Sequence, residues 1–393
     1  MKMETRTGID RIGEFPEFFR GRRLGLVTGA SGIGRDYRSG IEILKEQYDL
    51  KVLFAPEHGV RGELQGGIKV TDHVDLHSGI PVYSLFSESE SIIDPELIHH
   101  SSFRPSAGAL NQVDAVLFDI QDVGCRYYTY PSTLFFVMKA CAESGKKLVV
   151  LDRPNPIGGA MEGNCHRAEN FSFIGLTRIP IRHGMTMGEM ARFYNGEYHL
   201  HCPLDVVPVD GWTRDMYYDE TGLPFVCPSP NLPGLDAMVL YSGVCMLAGT
   251  NVSDGRGTTK PFEQIGAPFI DPFRLKEALD ALQLPAIRFS ATYFIPVFQK
   301  YRGEVCAGVR IHVLNRKEVR PVELGVKLIR TLQALYPKEF GFPYENSGRF
   351  HIDVETGTDE IRRNEKTAEV ILLGWEREAE AFHRIRDRYS LYT

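Results

Sequence analysis

A short apolar run passes into a polar loop in the stretch Val52-Leu53-Phe54-Ala55-Pro56-Glu57-His58-Gly59. The apolar run predicts a buried strand. We expect it to end at Pro56, because proline cannot donate to a sheet ladder and Gly59 tolerates a positive φ. Ligands bind at the carboxyl ends of the strands in open α/β sheets. Glu57 is therefore a candidate catalytic group, and a carboxylate that caps a turn is the alternative.

Further strand patterns alternate with helical patterns on both sides of this stretch. The apolar strand segments occupy residues 24–27, 51–54, 115–120, 148–151 and 204–209. Helical patterns occupy residues 40–46, 133–143 and 186–195. The alternation predicts an α/β fold in which helices cover both faces of a mostly parallel sheet.

The pattern changes beyond Pro272, where helical segments surround two strands at 287–294 and 305–313. A chain of 393 residues is long enough for two domains. We therefore predict a large domain over residues 1–240 and a smaller α+β domain over residues 241–393. The boundary is placed between residues 235 and 270.

Composition excludes some classes of protein. The net charge of −6 argues against a nucleic-acid partner, which requires a basic surface. No apolar stretch approaches the ~20 residues that span a bilayer. The seven cysteines include no Cys-x-x-Cys pair, which favours reduced thiols and a cytoplasmic protein, or an exported one if a leader has been removed. His73 and His77 have metal-ligand spacing but lie in a loop region, so no metal is expected.

A glycine-rich turn follows the first strand in the sequence Thr28-Gly29-Ala30-Ser31-Gly32-Ile33-Gly34. It is similar to the turn that holds a pyrophosphate in short-chain dehydrogenases. An NAD(P)-dependent oxidoreductase that uses Gly29 to Gly34 is therefore an alternative function. The chain has no Tyr-x-x-x-Lys spacing, which that chemistry needs. We expect no cofactor.

Polar side chains follow the other predicted strands where each of them ends. They are Asp119, Asp122, Arg126 and Tyr128 after Val116-Leu117-Phe118, Asp152, Arg153 and Asn155 after Val149-Val150-Leu151, and Arg182 and His183 after residues 179–181. Each has an ordinary structural explanation, such as a helix cap, an ion pair or a core tyrosine. Together they predict one crevice at the sheet edge. Arginine suits an anionic group, and tyrosine suits the face of a sugar ring.

These motifs resemble those of the NamZ-type exo-β-N-acetylmuramidases. The matching stretches are Leu53-Phe54-Ala55-Pro56-Glu57-His58-Gly59, residues 118–124 with Arg126 and Tyr128-Thr129-Tyr130, Leu151-Asp152-Arg153-Pro154-Asn155-Pro156, His183-Gly184-Met185-Thr186, Pro228-Ser229-Pro230-Asn231, and residues 249–258. The resemblance implies a Rossmann-like, doubly wound catalytic domain without a nucleotide, and an auxiliary C-terminal domain. It also implies release of N-acetylmuramic acid from the non-reducing end of peptidoglycan-derived muramyl oligosaccharides. The turn at 28–32 departs from the family pattern.

The resemblance makes Glu57 the leading catalytic candidate, and we expect it to act as the acid. Asp119 or Asp122 would be the base or would stabilise charge, since glycoside hydrolysis normally needs a second group. The predicted substrate-binding residues are His58, Arg61, Arg126, Tyr128, Asp152, Arg153, Asn155, Arg182, His183, Asn231, Asn251 and Arg256. Among them, Arg126, Arg153, Arg182 or Arg256 would hold the lactyl carboxylate of muramic acid. A non-catalytic protein that binds amino sugars is the third alternative.

Overall fold

A seven-stranded sheet forms the centre of the larger part of the computed structural model, which describes residues 4–86, 103–345 and 347–393. Among the described residues, the first nine strands are β1 (Arg23–Thr28), β2 (Asp49–Ala55), β3 (His73–Val74), β4 (Pro81–Ser84), β5 (Ala115–Asp119), β6 (Lys147–Leu151), β7 (Glu162–Cys165), β8 (Pro180–Arg182) and β9 (Leu204–Val207). The sheet order is β3-β4-β2-β1-β5-β6-β9. Every neighbouring pair is parallel except β3 with β4.

The strand order reverses at β1. The chain builds β2 and β4 on one side of it and β5, β6 and β9 on the other, so the switch point lies between β1 and β5. The helices of this part are α1 (Gly40–Gln47), α2 (Ala107–Leu110), α3 (Tyr130–Glu143) and α4 (Met187–Glu197). The predicted Rossmann-like α/β fold with a mostly parallel sheet is confirmed.

Alternate residues of the central strands face two separate hydrophobic cores. Val27, Phe54 and Phe118 belong to one core. Their neighbours Leu26 and Leu53 belong to the other. Both faces of the sheet are therefore covered, which explains why these strands are continuous apolar runs.

The strand at β8 lies outside the central sheet. It pairs antiparallel with β7 in a separate two-stranded sheet. The prediction that its end joins the sheet edge with the others was wrong. Pro180 removes one backbone donor from this three-residue strand, and proline is confined to edges and strand starts.

The C-terminal part is smaller and contains an antiparallel sheet of three strands in the order β10-β12-β11. Its elements are α5 (Leu235–Val244), β10 (Gln264–Ala267), α6 (Pro272–Asp280), β11 (Ile287–Phe294), β12 (Cys306–Val313), α7 (Pro321–Leu335), α8 (His351–Thr356), α9 (Glu360–Arg363) and α10 (Ala368–Asp387). The predicted α+β character is confirmed. Residue 240 lies within α5, and the exact domain boundary stays a prediction. Among the described residues, no helix has the length and apolar character needed to cross a membrane.

Candidate active site

A cavity of about 350 Å³ lies beyond the carboxyl end of β2, between the central sheet and the C-terminal part. The residues that line it from the larger part are Glu57, His58, Gly66, Gly67, Tyr127, Tyr128, Thr129, Ile174, Ser229, Asn231 and Leu232. Those from the C-terminal part are Tyr241, Ala248, Arg256, Phe262, Gln299, Lys300, Glu345 and His351. The volume lies at the lower end of the ~300–1,000 Å³ typical of ligand cavities.

The carboxylate of Glu57 is held on both of its oxygens. The backbone N–H of Gly67 donates to Oε1 at 2.7 Å, and the hydroxyl of Thr129 donates to Oε2 at 2.7 Å. Thr129 precedes α3 and leaves the helix without a side-chain cap, because its hydroxyl is used by Glu57. The N-terminus of α3 also places a positive dipole end near this carboxylate. Glu57 is therefore fixed in position.

The turn that carries Glu57 is strained. His58 has a φ of 75°, in the left-handed region that few residues other than glycine adopt. Its Nδ1 donates to the carbonyl of Leu64 at 3.0 Å, which leaves Nε2 as an acceptor in the neutral ring. Phe262 and Gln299 also line the cavity with φ values of 62° and 66°. Such strain is concentrated at functional sites in proteins.

Aromatic rings form one wall of the cavity. Tyr128 contacts Tyr241 edge to face with ring centroids 6.1 Å apart, and Tyr241 contacts Phe262 at 4.9 Å. The Tyr128 hydroxyl donates to the carbonyl of Pro228 at 2.9 Å. Burial raises the pKa of Tyr128 well above its usual range, so the ring stays neutral. The wall therefore offers an uncharged surface that suits a sugar ring.

Two cations line the cavity from the C-terminal part. Arg256 donates from Nε to both oxygens of the buried Asp254, at 3.1 and 3.0 Å, and its pKa is raised by this pairing. Its Nη1 has no hydrogen-bond partner among the described residues. Lys300 donates to the carbonyls of Leu247, Ala248 and Val252. Burial lowers the pKa of Lys300 to about 8, so it is mostly charged at neutral pH.

The structure places the remaining predicted acids away from this cavity. Asp119 is fully buried and accepts two hydrogen bonds from Arg153, at 2.6 and 3.0 Å. Asp122 accepts from the N–H of Gly124 at 2.7 Å and contacts Nε2 of His183 at 3.1 Å. Because both carboxyls lie outside the lining, the structure does not bring either of them to Glu57 as the expected second group.

Three more predicted substrate-binding residues hold the backbone in place. Asp152 is buried and accepts hydrogen bonds from the Thr186 hydroxyl and the Gly188 N–H at the start of α4. Asn155 donates to the carbonyl of Met185 at 3.0 Å. Arg182 forms a buried ion pair with Glu162 at 2.8 Å. None of the three lines the cavity, and the polar atoms of each are hydrogen-bonded to other groups of the protein.

Arg126, Arg61 and Asn251 also bind protein groups in place of a ligand. The fully buried guanidinium of Arg126 donates to four backbone carbonyls, two of which belong to residues 355 and 356 of α8. Arg61 forms a bidentate pair with Asp75 at 3.0 and 2.9 Å. Asn251 bonds to the backbone of residues 339 and 341. Of the predicted substrate-binding residues, the cavity lining contains His58, Tyr128, Asn231 and Arg256.

The glycine-rich turn lacks the geometry of a dinucleotide site. Helix α1 begins at Gly40, six residues after Gly34, so the turn does not open the helix. The N-terminus of α1 is closed by a capping box between Ser39 and Glu42. His73 and His77 lie in β3 and the turn after it, and no cluster that could hold a metal ion occurs in the part of the chain that the structure describes.

Sequence reasoning missed the C-terminal wall of the cavity, above all Lys300, Glu345 and His351. These residues stand alone in loops or at the first turn of a short helix, with no motif around them. They line the same cavity as Glu57 only because the two parts of the chain pack together. No signal in the sequence could have found them.

Comparison with known proteins shows the family to which this chain belongs. The chain matches two family models, described as the N-terminal and C-terminal parts of exo-beta-N-acetylmuramidase NamZ, over residues 24–236 and 239–392. It belongs to the NamZ exo-β-N-acetylmuramidase family. The family resemblance predicted from the motifs is therefore confirmed. The chain is also 40% identical over 398 residues to the peptidoglycan beta-N-acetylmuramidase NamZ of Bacillus subtilis strain 168, covering 100% of this chain and 92% of that protein.

Solved structures agree with the fold over the whole chain. Two crystal structures of DUF1343 family proteins from Bacteroides fragilis NCTC 9343 match it. The first has a TM-score of 0.88 at 31% identity and covers 100% of both chains. The second has a TM-score of 0.77 at 28% identity and covers 100% of this chain and 99% of that one.

Proposed function

We propose that this protein is an exo-acting glycoside hydrolase that releases N-acetylmuramic acid from the non-reducing end of peptidoglycan-derived glycans, with Glu57 as the acid catalyst. The observation that carries the proposal is the position of Glu57 in the cavity of a chain of this family. Glu57 protonates the leaving oxygen, and Gly67 and Thr129 stabilise the carboxylate that forms. The aromatic wall with Tyr128 supports a sugar ring.

Arg256 supports selection of muramic acid over glucosamine. Muramic acid differs by a lactyl carboxylate, and a guanidinium suits that group. We expect Arg256→Lys to retain the pairing with Asp254 but to raise the KM for a muramide about 10-fold, because the lysine lacks the fork that reaches the carboxylate. The check is a comparison with the lactyl methyl ester of the same substrate. If Arg256 binds the carboxylate, the ratio of kcat/KM for the free acid to kcat/KM for the ester is smaller in the variant than in the wild type. An unchanged preference would contradict this role.

The central experiment is incubation with a chromogenic N-acetylmuramide beside the matching N-acetylglucosaminide. We expect release from the muramide alone, and release from neither would overturn the proposed function. Glu57→Gln should reduce turnover of a muramyl disaccharide, whose leaving sugar must be protonated, by ~10²-fold or more while substrate binding survives, since the amide cannot donate a proton to the leaving oxygen. Near wild-type turnover in this variant would remove Glu57 from the mechanism. Saturable binding without cleavage by the wild type would favour a sugar-binding protein.

We also propose a cytoplasmic location, which the cysteines support. All seven are free thiols, and five of them are buried. Free buried thiols are typical of proteins from a reducing compartment. The proposed partners are muramyl oligosaccharides of small size, because the cavity is closed on two sides by protein.

A further inference from the structure

A second acid–base group lies in the C-terminal wall of the cavity. His351 begins α8, and its side chain is 22% exposed where it lines the cavity. Its Nε2 lies 3.0 Å from Oε2 of Glu355, one helical turn later. The Sγ of Cys245 donates to the other oxygen of Glu355 at 3.2 Å. Glu355 is buried, and both of its oxygens are engaged, so it fixes the orientation of the imidazole.

The contacts of Glu355 define which nitrogen of His351 is free. The Sγ of Cys245 occupies Oε1 of Glu355, and Oε2 is the oxygen that faces the imidazole. Nε2–H of His351 donates to this carboxyl oxygen, so Nδ1 keeps its lone pair in the neutral ring. Nδ1 lies 3.7 Å from Oε1 of Glu345, which is beyond hydrogen-bond distance. Nδ1 is therefore available to take a proton.

We propose that His351 is the general base that completes the proposed glycosidase site, and this step rests on that function. The oxygen of a water molecule forms a bond to the anomeric carbon while the bond from that carbon to the leaving oxygen breaks. Nδ1 of His351 takes the proton of the water, and Glu57 gives its proton to the leaving oxygen. One water is consumed, and both groups return to their starting states by exchange with solvent. Glu355 is a positioning residue that stabilises the imidazolium.

Glu345 is the other titratable group near this position, and it fits the role less well. Its side chain is 41% exposed, and among the described residues no second group orients it. Asp119 and Asp122 lie outside the lining. His58 lines the cavity, but it follows Glu57 directly in the same turn and thus approaches the substrate from the same wall. A base must act on the opposite side of the anomeric carbon from the acid when water attacks directly.

Two substrates distinguish the role of His351 as the base from the role of Glu57 as the acid. One is a muramyl disaccharide with a sugar leaving group, and the other is a nitrophenyl muramide, whose leaving group departs without protonation. We expect His351→Ala to reduce kcat by ~10²-fold or more on both substrates, with KM changed less than about 3-fold. Imidazole in the buffer should restore part of the activity. Glu57→Gln should lose far more activity on the disaccharide than on the nitrophenyl substrate.

Three further variants keep the test decisive. His351→Gln retains a donor for Glu355 and replaces the alanine variant if that one fails to fold. Glu355→Gln should lower kcat without rescue by imidazole, because the imidazole of His351 is still present. His383→Gln is the matched control, since His383 pairs with Asp387 at 3.0 Å on α10 in the same i,i+4 arrangement outside this cavity. It should keep wild-type activity.

Different experimental outcomes would contradict the proposed glycosidase function and the proposed role of His351. His351 variants within about 3-fold of the wild type, or a loss confined to KM, would overturn the role of His351 as a base. If the wild type cleaves neither substrate, the proposed function itself fails. If the wild type cleaves both and Glu57→Gln is impaired while the His351 variants are active, only the inference about His351 fails.

Discussion

At the residue scale, the hydroxyl of Thr129 links the start of α3 to the reaction. It donates to Oε2 of Glu57 and leaves the helix end uncapped. A donor aimed at a group that becomes negative in the reaction lowers the barrier, and one such hydrogen bond is typically worth about 1–3 kcal/mol. The contribution of this hydrogen bond to catalysis can be measured without disturbing the fold, because valine has nearly the same shape as threonine.

We expect Thr129→Val to reduce kcat/KM by about 10-fold or more with little change in the free energy of unfolding. The measurement is steady-state hydrolysis of a muramyl disaccharide, whose leaving group needs protonation, together with urea unfolding. Thr133→Val is the control, because the Thr133 hydroxyl donates to the backbone carbonyl of Thr129 at 3.2 Å, makes no contact with Glu57 and lies outside the cavity. Equal losses of activity in both variants would show that the effect arises from α3 and not from the bond to Glu57.

The placement of Glu57 could be predicted from the sequence, since a strand that ends at Pro56 delivers the next side chain to the sheet edge. Its hydrogen-bond partners could not. Gly67 reaches Glu57 because a loop of ten residues folds back, and Arg153 turns to Asp119 because both are buried beside each other. Such choices depend on which polar groups meet in three dimensions. The sequence identifies the possible hydrogen-bond donors but does not say which acceptor each of them contacts.

At the element scale, Asp152 ties the end of β6 to the start of α4 and to the C-terminal segment. Its carboxyl accepts from Thr186, from Gly188 and from the hydroxyl of Tyr392, the last at 2.5 Å. Burial raises the pKa of Asp152 to about 6. The same residue was expected to bind substrate, because an aspartate at a strand end has the same sequence pattern in both roles.

This pKa makes the stability of the fold depend on pH. The folded chain binds the proton of Asp152 more tightly than the unfolded chain, in which the pKa is about 3.9. The resulting stabilisation is fully present below about pH 4 and is lost as pH rises through about 6. It amounts to about 3 kcal/mol. Asp152→Asn should remove this dependence, and the asparagine fits because both hydroxyls can turn and accept from its amide.

The measurement is urea unfolding of the wild type and Asp152→Asn at several pH values from 4 to 7. The free energy of unfolding of the wild type, taken relative to the variant, should fall across this range. Other titrating groups are the same in both proteins and cancel in the difference. Parallel curves would contradict a raised pKa at Asp152.

At the scale of the whole molecule, Arg126 connects the two parts of the chain. It donates to carbonyls of residues 164 and 179 on one side and of residues 355 and 356 on the other. The end of α8 is therefore fastened to the larger part, and this fixes His351 and Glu355 relative to Glu57. The sequence showed an arginine at a strand end, but its role depends on carbonyls that are distant along the chain.

We expect Arg126→Met to lower the free energy of unfolding by roughly 3–5 kcal/mol, because the buried carbonyls lose their charged donor. Activity should also fall in the fraction that stays folded, since α8 is no longer held. Differential scanning calorimetry and hydrolysis of the muramide at a temperature well below unfolding give the two readouts. Full activity per folded molecule would mean that the contact serves stability alone.

The order of the cavity walls along the chain has a consequence for synthesis. Glu57 leaves the ribosome about 300 residues before His351, an interval of ~15–60 s at ~5–20 residues per second. During translation the sheet and its carboxylate can form while the part of the opposite wall from Gln299 to His351 does not yet exist. A nascent or interrupted chain therefore has a place for the acid but no enclosed cavity around it. On the proposed role of His351, cleavage of glycan requires a chain that has been made past that residue.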